Sequence, residues 1–253
     1  KWMRRSNGIS VFEACTKAGK PFSVAEVPSK TELPFAADSL LFPDVARMFV
    51  SAVETRQMRK ETQAFWKDVY GFDMTCLITP DDAFPNASIA TLYAADKCSI
   101  SDKKGLVAFD LMHDDAKDLI FESDVTLNIE KDDVIDAFTV WFDTIFSSKQ
   151  RRDSIVANPR LAYEDFAPVP ASDSSVVLDT SYVTVPTHWH QTIFRLANVL
   201  QVQKGDVVTL KLVATTRKDN HRHYDVSVTY ELQSANPITP EGPSPVMNTV
   251  WGK

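Results

Sequence analysis

The sequence predicts a mainly β protein, a β-sandwich or barrel of roughly 200 residues, occupying residues 40–253 and preceded by a short segment of different character at 1–39. Residues 125–130, 206–214 and 224–232 alternate apolar and polar side chains with the period of a half-buried strand. Residues 137–146, "AFTVWFDTIF", are apolar at both odd and even positions, which suits a strand covered on both faces. Turn residues recur between these runs, as they do in all-β domains.

The first forty residues supply one helix and one strand. In "GISVFEACTKAG" (8–19), Ile9, Phe12 and Cys15 or Thr16 share a helical spacing, and Gly19 stands where a C-cap glycine belongs. "KPFSVAEV" (20–27) is a short strand-like run, and Pro28 and Pro34 break regularity after it. One helix and one strand are too little to bury a core of their own, so this segment must lean on another surface.

From residue 40 the strands begin. "LFPDVARMFVSAVE" places Met48, Val50 and Ala52 on one face and Phe49 and Val53 on the other. In "RKETQAFWKDVYGFDMTCL" (59–77) the period changes to that of a helix: Phe65 with Val69 and Trp66 with Tyr70 are pairs four residues apart, and Gly71 is expected to stop the helix. The density of large rings here suits core packing and a partner interface equally. Val125, Leu127 and Ile129 are expected to point inward, and the 206–214 and 224–232 strands to form a hairpin across "TTRKDNHRH". Residues 149–186, with Pro159, Pro168 and Pro170, read as a long surface excursion, and the proline-rich tail 234–253 as extended or mobile.

Composition bounds the function. The 44% of hydrophobic residues provides for a sizeable core and argues against global disorder. The net charge of −7, with no run of more than three basic residues, argues against a nucleic-acid surface. No run approaches the roughly 20 apolar residues that cross a bilayer as a helix, so no membrane partner is expected. Cys15, Cys76 and Cys98 are far apart and form no C-x-x-C pair, which reads as three reduced thiols. The cytoplasm, alone or with the nucleus, is the expected compartment. His188 with His190, and His221 with His223, fall on common strand faces by spacing, but two ligands without a nearby acid or cysteine make a poor zinc site. No metal is expected.

Four motifs occur in order: "VYGFDMTCL" (69–77), "KDLIFESDVTLNI" (117–129), "THWHQTIF" (187–194) and "VQKGDVVTLKL" (202–212). Together they closely resemble the C-terminal half of type I protein arginine N-methyltransferases, over residues 40 to about 233. The resemblance implies a methyltransferase-type β-barrel with a helical dimerisation arm at about 57–95. It implies a partner interface on that arm, for which Phe65, Trp66, Tyr70, Phe72 and Met74 are the candidates. It also implies that Thr187, His188 and Trp189 are the retained loop that borders the family's active site.

Residues 8–27 resemble the cofactor helix and the following strand of the family's Rossmann-like S-adenosylmethionine domain, with Glu26 where the family places a ribose-binding acid. Segment 1–39 therefore reads as a degenerate remnant of that domain. The family's Gly-x-Gly-x-Gly loop is matched only by Gly8, and side chains in its place would fill the space in which backbone approaches the cofactor. The family fixes the substrate guanidinium with two glutamates, because a planar cation must be held bidentately. Between Val27 and Phe42 only Glu32 is present. The sequence thus assigns no catalytic or cofactor-binding residue to this chain.

The reading that follows is a catalytically inactive, methyltransferase-like regulatory subunit, which binds and activates or stabilises an active arginine methyltransferase in a hetero-dimer or hetero-tetramer. S-adenosylmethionine is then expected in the partner. The alternative is a fragment of an active methyltransferase whose cofactor domain lies outside these 253 residues.

Overall fold

The computed structural model describes residues 41–77, 87–90, 98–164, 166–217, 224–235 and 246–250. The 1–39 segment, with its expected helix, strand and cofactor-domain remnant, lies outside them, as do Pro80, Pro85, His221 and His223. Among the described residues ten strands form two antiparallel sheets. The larger holds β1 (Val45–Val53), β2 (Ala87–Ala90), β3 (Lys104–Asp110), β5 (Asp133–Phe146), β6 (Val176–Asp179) and β7 (Gln191–Val202) in the order β2-β7-β5-β1-β3. β6 pairs with the last residues of β5, while β7 pairs with its first part. The smaller sheet runs β10-β9-β8-β4, with β4 at Phe121–Asn128, β8 at Val207–Thr216, β9 at Tyr224–Gln233 and β10 at Val246–Val250.

The alternation read in β1 decides the layering. Met48, Val50 and Ala52 point into the core between the sheets, beside Phe138 and Val140 of β5 and Leu210, Leu212 and Val228 of the smaller sheet. Phe49 and Val53 point the other way, into a second apolar layer with Trp141, Ala137, Ile193 and Tyr182. β5 is buried along almost its whole length because it has an apolar layer on each face. Leu127 and Ile129 are buried and Val125 packs against the same core, as their alternation requires.

Three expectations are corrected. The larger assembly is two sheets and not a closed barrel: among the described residues no continuous ladder joins β3 to β4, and barrel closure needs one. The arm helix ends at Lys67, before Gly71. Residues 149–186 are not a free excursion. They hold α2 (Lys149–Ala157), α3 (Leu161–Glu164) and β6, and Ile155 and Ala162 bury against Val45 and Ile145. The Ser148 hydroxyl caps α2 by accepting from the Arg151 N–H at 3.2 Å, while donating to Asp173 at 2.8 Å. Val246–Val250 of the tail, expected to be extended or mobile, is an extended strand paired with β9.

Candidate functional site

Two features stand on the outer apolar layer of the larger sheet: the arm that leaves the end of β1, and the histidine–tryptophan loop that enters β7. Met58 of the arm packs into the same layer as Tyr182, which lies just ahead of the loop.

The arm helix, α1 (Arg56–Lys67), follows Thr55. Its start is fixed from the sheet. The register of β5 against β7 shifts between Ile135 and Ala137, and Asp136 sits at that irregularity, 3% exposed. One carboxylate oxygen of Asp136 accepts the Thr55 backbone N–H at 2.8 Å. The other accepts the Thr55 hydroxyl at 3.2 Å and forms an ion pair with Arg59, one turn into the helix. Arg195 of β7 donates to the Thr55 hydroxyl oxygen at 2.8 Å. Burial, together with the nearby charge of Arg59, lowers the Arg195 guanidinium to about 10. Arg56 adds ion pairs to Glu54 and Asp133 at the exposed edge.

Beyond α1 the chain reverses in two residues. Asp68 accepts the Gly71 N–H at 2.8 Å, and Val69 and Phe72 exchange two backbone hydrogen bonds of 2.9 and 3.1 Å. Tyr70 (φ 55°) and Gly71 (φ 87°) both occupy the left-handed region, which a two-residue hairpin turn of this hand demands. The Met74 N–H then donates to the Trp66 carbonyl at 2.9 Å and folds the strand of chain back along the helix. Asp73 accepts both the N–H and the hydroxyl of Thr75, and these bonds hold its carboxyl below the usual range.

This geometry turns large rings outward. Tyr70 is 97% exposed, Phe72 71%, Phe65 59% and Leu77 52%. Trp66 and Met74 are half-buried, and the Trp66 ring meets Phe65 edge-on at 5.4 Å. The helical pairing of Phe65 with Val69 and of Trp66 with Tyr70 is not formed, because residues 69–72 belong to the turn. The five arm residues singled out in the sequence are therefore gathered on one short projection.

Thr187, His188 and Trp189 lie in the turn before β7, closed by the His190 N–H donating to the Thr187 carbonyl at 3.2 Å. His190 has φ 55°, so His188 and His190 sit on a turn and not on a strand face. His188 is exposed and lies over the Trp189 ring, 3.8 Å between centroids, and Trp189 meets Phe142 of β5 edge-on at 6.1 Å. The buried Gln191 donates to the Thr180 carbonyl at 2.8 Å. The Tyr182 hydroxyl shares hydrogen bonds with Ser51 and Ser99 at 2.8 and 3.2 Å. The loop is thus pinned on both sides, with His188 as its outermost ring.

The described residues do not fit S-adenosylmethionine. Their glycines are Gly71, in the hairpin turn of the arm, Gly205, in the turn that passes from one sheet to the other between β7 and β8, and Gly105, which faces the Phe166 ring; none forms a strand-to-helix cradle. Elsewhere a polar cavity of about 440 Å³ lies among Phe109, His113, Asp114, Asp118 and Tyr163. Tyr163 donates to Asp114 at 2.5 Å, and burial followed by that carboxylate raises its phenol. His113 Nδ1 lies 2.7 Å from Asp110. These contacts tie α3 to the end of β3.

Sequence reasoning missed Asp136 and its partners. The available signal was an acid inside the otherwise apolar run "VIDAFTVWF".

The described residues thus form a two-sheet domain from which an arm with exposed aromatic rings projects, tied to the sheet through Asp136. The arginine methyltransferase oligomerization subdomain matches residues 44–235, and the chain belongs to the protein arginine methyltransferase family. It is 28% identical over 204 residues to protein arginine N-methyltransferase 1 of Caenorhabditis elegans, covering 78% of this chain and 49% of that protein. It is 27% identical over 195 residues to protein arginine N-methyltransferase 1 of Saccharomyces cerevisiae, covering 77% and 49%. The chain spans about half the length of these curated relatives. Among solved structures, the Trypanosoma brucei PRMT1 enzyme-prozyme heterotetrameric complex with AdoHcy matches with a TM-score of 0.57 at 24% identity, over 82% of this chain and 56% of that one. Protein arginine methyltransferase 10 of Arabidopsis thaliana matches with a TM-score of 0.56 at 19% identity, over 83% and 60%. Both likenesses are of fold.

Proposed function

We propose that this chain is a non-catalytic subunit of arginine methylation, which grips an active protein arginine methyltransferase through its arm and activates or stabilises it. The observation that carries the proposal is the arm, whose Phe65, Tyr70 and Phe72 rings face solvent while its base is tied into the sheet through Asp136. Large exposed rings on a rigidly held element are what a partner surface uses, since little side-chain freedom is lost on docking. The solved relative from Trypanosoma brucei is an enzyme–prozyme heterotetramer, so unequal pairing has a precedent in this fold. Inactivity is supported by the sequence, where Gly8 alone stands for the cofactor glycines and Glu32 alone for the paired glutamates. The cytoplasm, with the nucleus, is the proposed place of action.

A second reading is favoured by length. Because the chain spans about half of its curated relatives, it also fits the oligomerisation half of an active, S-adenosylmethionine-dependent arginine methyltransferase. The two readings part on the protein isolated from its own cells. The subunit reading expects no calorimetric binding of S-adenosylmethionine, and faster methyl transfer when the protein is added to a co-purifying methyltransferase. Micromolar cofactor binding, or methyl transfer by the isolated protein, supports the enzyme reading and defeats the first.

A further inference from the structure

The core between the two sheets is not filled at one end. β8 turns Val208, Leu210, Leu212 and Ala214 inward, so its last inward position carries a single methyl group. Ala214 pairs within the smaller sheet with Phe121 on one side and Val226 on the other. Met48, Val140 and Phe194 of the larger sheet face them, and a cavity of about 190 Å³ remains between the two sets. Protein interiors pack so that few voids exceed a water molecule. This space is several times that size, so its neighbours do not compensate for the small residue at 214. Phe121 opens β4, Tyr224 opens β9 and Thr192 is the second residue of β7; all three line the cavity and are half-buried, which gives it a rim at the strand ends. Val140, Phe194 and Leu212 are buried and form its floor.

We propose that this cavity is a binding site for a small neutral apolar molecule, a single aromatic ring with small apolar substituents. Size sets the first limit. An apolar cavity of about 150 Å³ stays dry and admits benzene, whereas pockets for drug-sized ligands begin at about 300 Å³. The walls set the second. Phe109 and Phe121 meet edge-on at 6.0 Å, and the rings of Phe194 and Tyr224 also line the space, so an aromatic guest finds edges and faces on several sides. No charged residue lines the cavity, and a charged guest would lose its water without gaining a partner. The cavity lies in the inner layer between the sheets, while the arm and the histidine–tryptophan loop stand on the outer one. The site therefore stands independently of the proposed function.

The test is a titration of the full chain with fluorobenzene, followed by fluorine NMR. Binding should saturate, and toluene should displace the probe while benzoate, the same ring with a charge, should not. A guest that binds only the folded chain should also raise the thermal midpoint. Ala214→Leu fills the space from the smaller sheet and should weaken binding by about tenfold or more, because the guest and the added side chain need the same volume. Thr192→Leu fills it from the larger sheet, should weaken binding likewise, and decides the matter if Ala214→Leu does not fold. Val156→Ser removes an exposed apolar side chain on α2 and should bind as the parent does. No saturable binding by the parent chain, displacement by benzoate, parent affinity in a folded filling variant, or weakened binding in Val156→Ser would each overturn the proposal.

Discussion

Asp136 of β5 accepts the Thr55 backbone N–H at 2.8 Å, and this bond sets where the arm begins. The carboxylate also holds the Thr55 hydroxyl and Arg59, so one buried side chain joins the central strand to the first turn of the helix. Asp136→Ala removes the acceptor from all three. Deleting it leaves the buried Thr55 donors without an acceptor and the part-exposed Arg59 without its partner, at a cost of about 1–3 kcal/mol, and part of that loss is local because α1 projects from the sheet. Hydrogen exchange should show residues 56–67 losing protection by a larger factor than the strands β1 and β8. Uniform loss across the chain would contradict the anchoring role.

The cross-strand pair Arg47–Asp143 is buried on both sides, 2.6 Å apart with side chains 3% and 8% exposed. Arg47 also donates to the Ala167 carbonyl at 2.9 Å. Burial raises the Asp143 carboxyl despite the opposing hydrogen bonds and charge of Arg47. Arg47→Met alone should cost about 3–5 kcal/mol in denaturant unfolding, because the acid is left buried. Arg47→Met with Asp143→Leu should recover much of it. A double variant worse than the single would show that the pair stabilises by more than mutual compensation.

Gly105 is required by a neighbour and not by its backbone. A Cβ there would lie 2.1 Å from the Phe166 ring, which packs edge-on against Phe49 at 5.8 Å. Gly105→Ala must displace that ring, for which about 1–3 kcal/mol is expected. Phe166→Leu in the same chain should reduce the cost of Gly105→Ala, as a double-mutant cycle would show. Additive losses would mean the alanine is accommodated elsewhere.

Three tyrosines predict the alkaline limb of stability. Burial raises the phenols of Tyr163, Tyr182 and Tyr230 above 10.0, with Asp114 adding to the first and Ser51 opposing in the second. A phenol raised in the folded state binds its proton more tightly there than in the unfolded chain. Its contribution is complete below pH 10 and is lost as pH rises through the folded value. Thermal midpoints should therefore fall above pH 10, and Tyr182→Phe should flatten that fall. An unchanged alkaline slope in Tyr182→Phe would remove Tyr182 from the account.

Strands buried on known faces were legible and elements fixed by distant partners were not. The split of β1 into Met48, Val50 and Ala52 against Phe49 and Val53 follows from the period of two and holds in the two apolar layers. The end of α1 did not, because Phe65, Trp66, Val69 and Tyr70 keep helical spacing past Lys67 while Asp68 and Gly71 close a turn instead. Helix α2 was hidden by the prolines that follow it, although Ser148 is a good capping residue. At the candidate site, the aromatic density of the arm could be read, but its exposure depends on the turn at Tyr70–Gly71. Of the anchor only the acid in an apolar run could be read, and not its partner, since Asp136 and Thr55 are 81 positions apart.

The arm as a grip on an active methyltransferase is tested most directly by the affinity of Phe72→Ala for the co-purifying enzyme, with the melting temperature measured on the same sample. Phe72 is 71% exposed, so its removal should leave melting unchanged. Tyr70→Gly is the companion variant, because glycine suits the positive φ that alanine would strain. Association should weaken by about 2–4 kcal/mol, with a matching loss of methyltransferase activation. Unchanged affinity in both variants would contradict it.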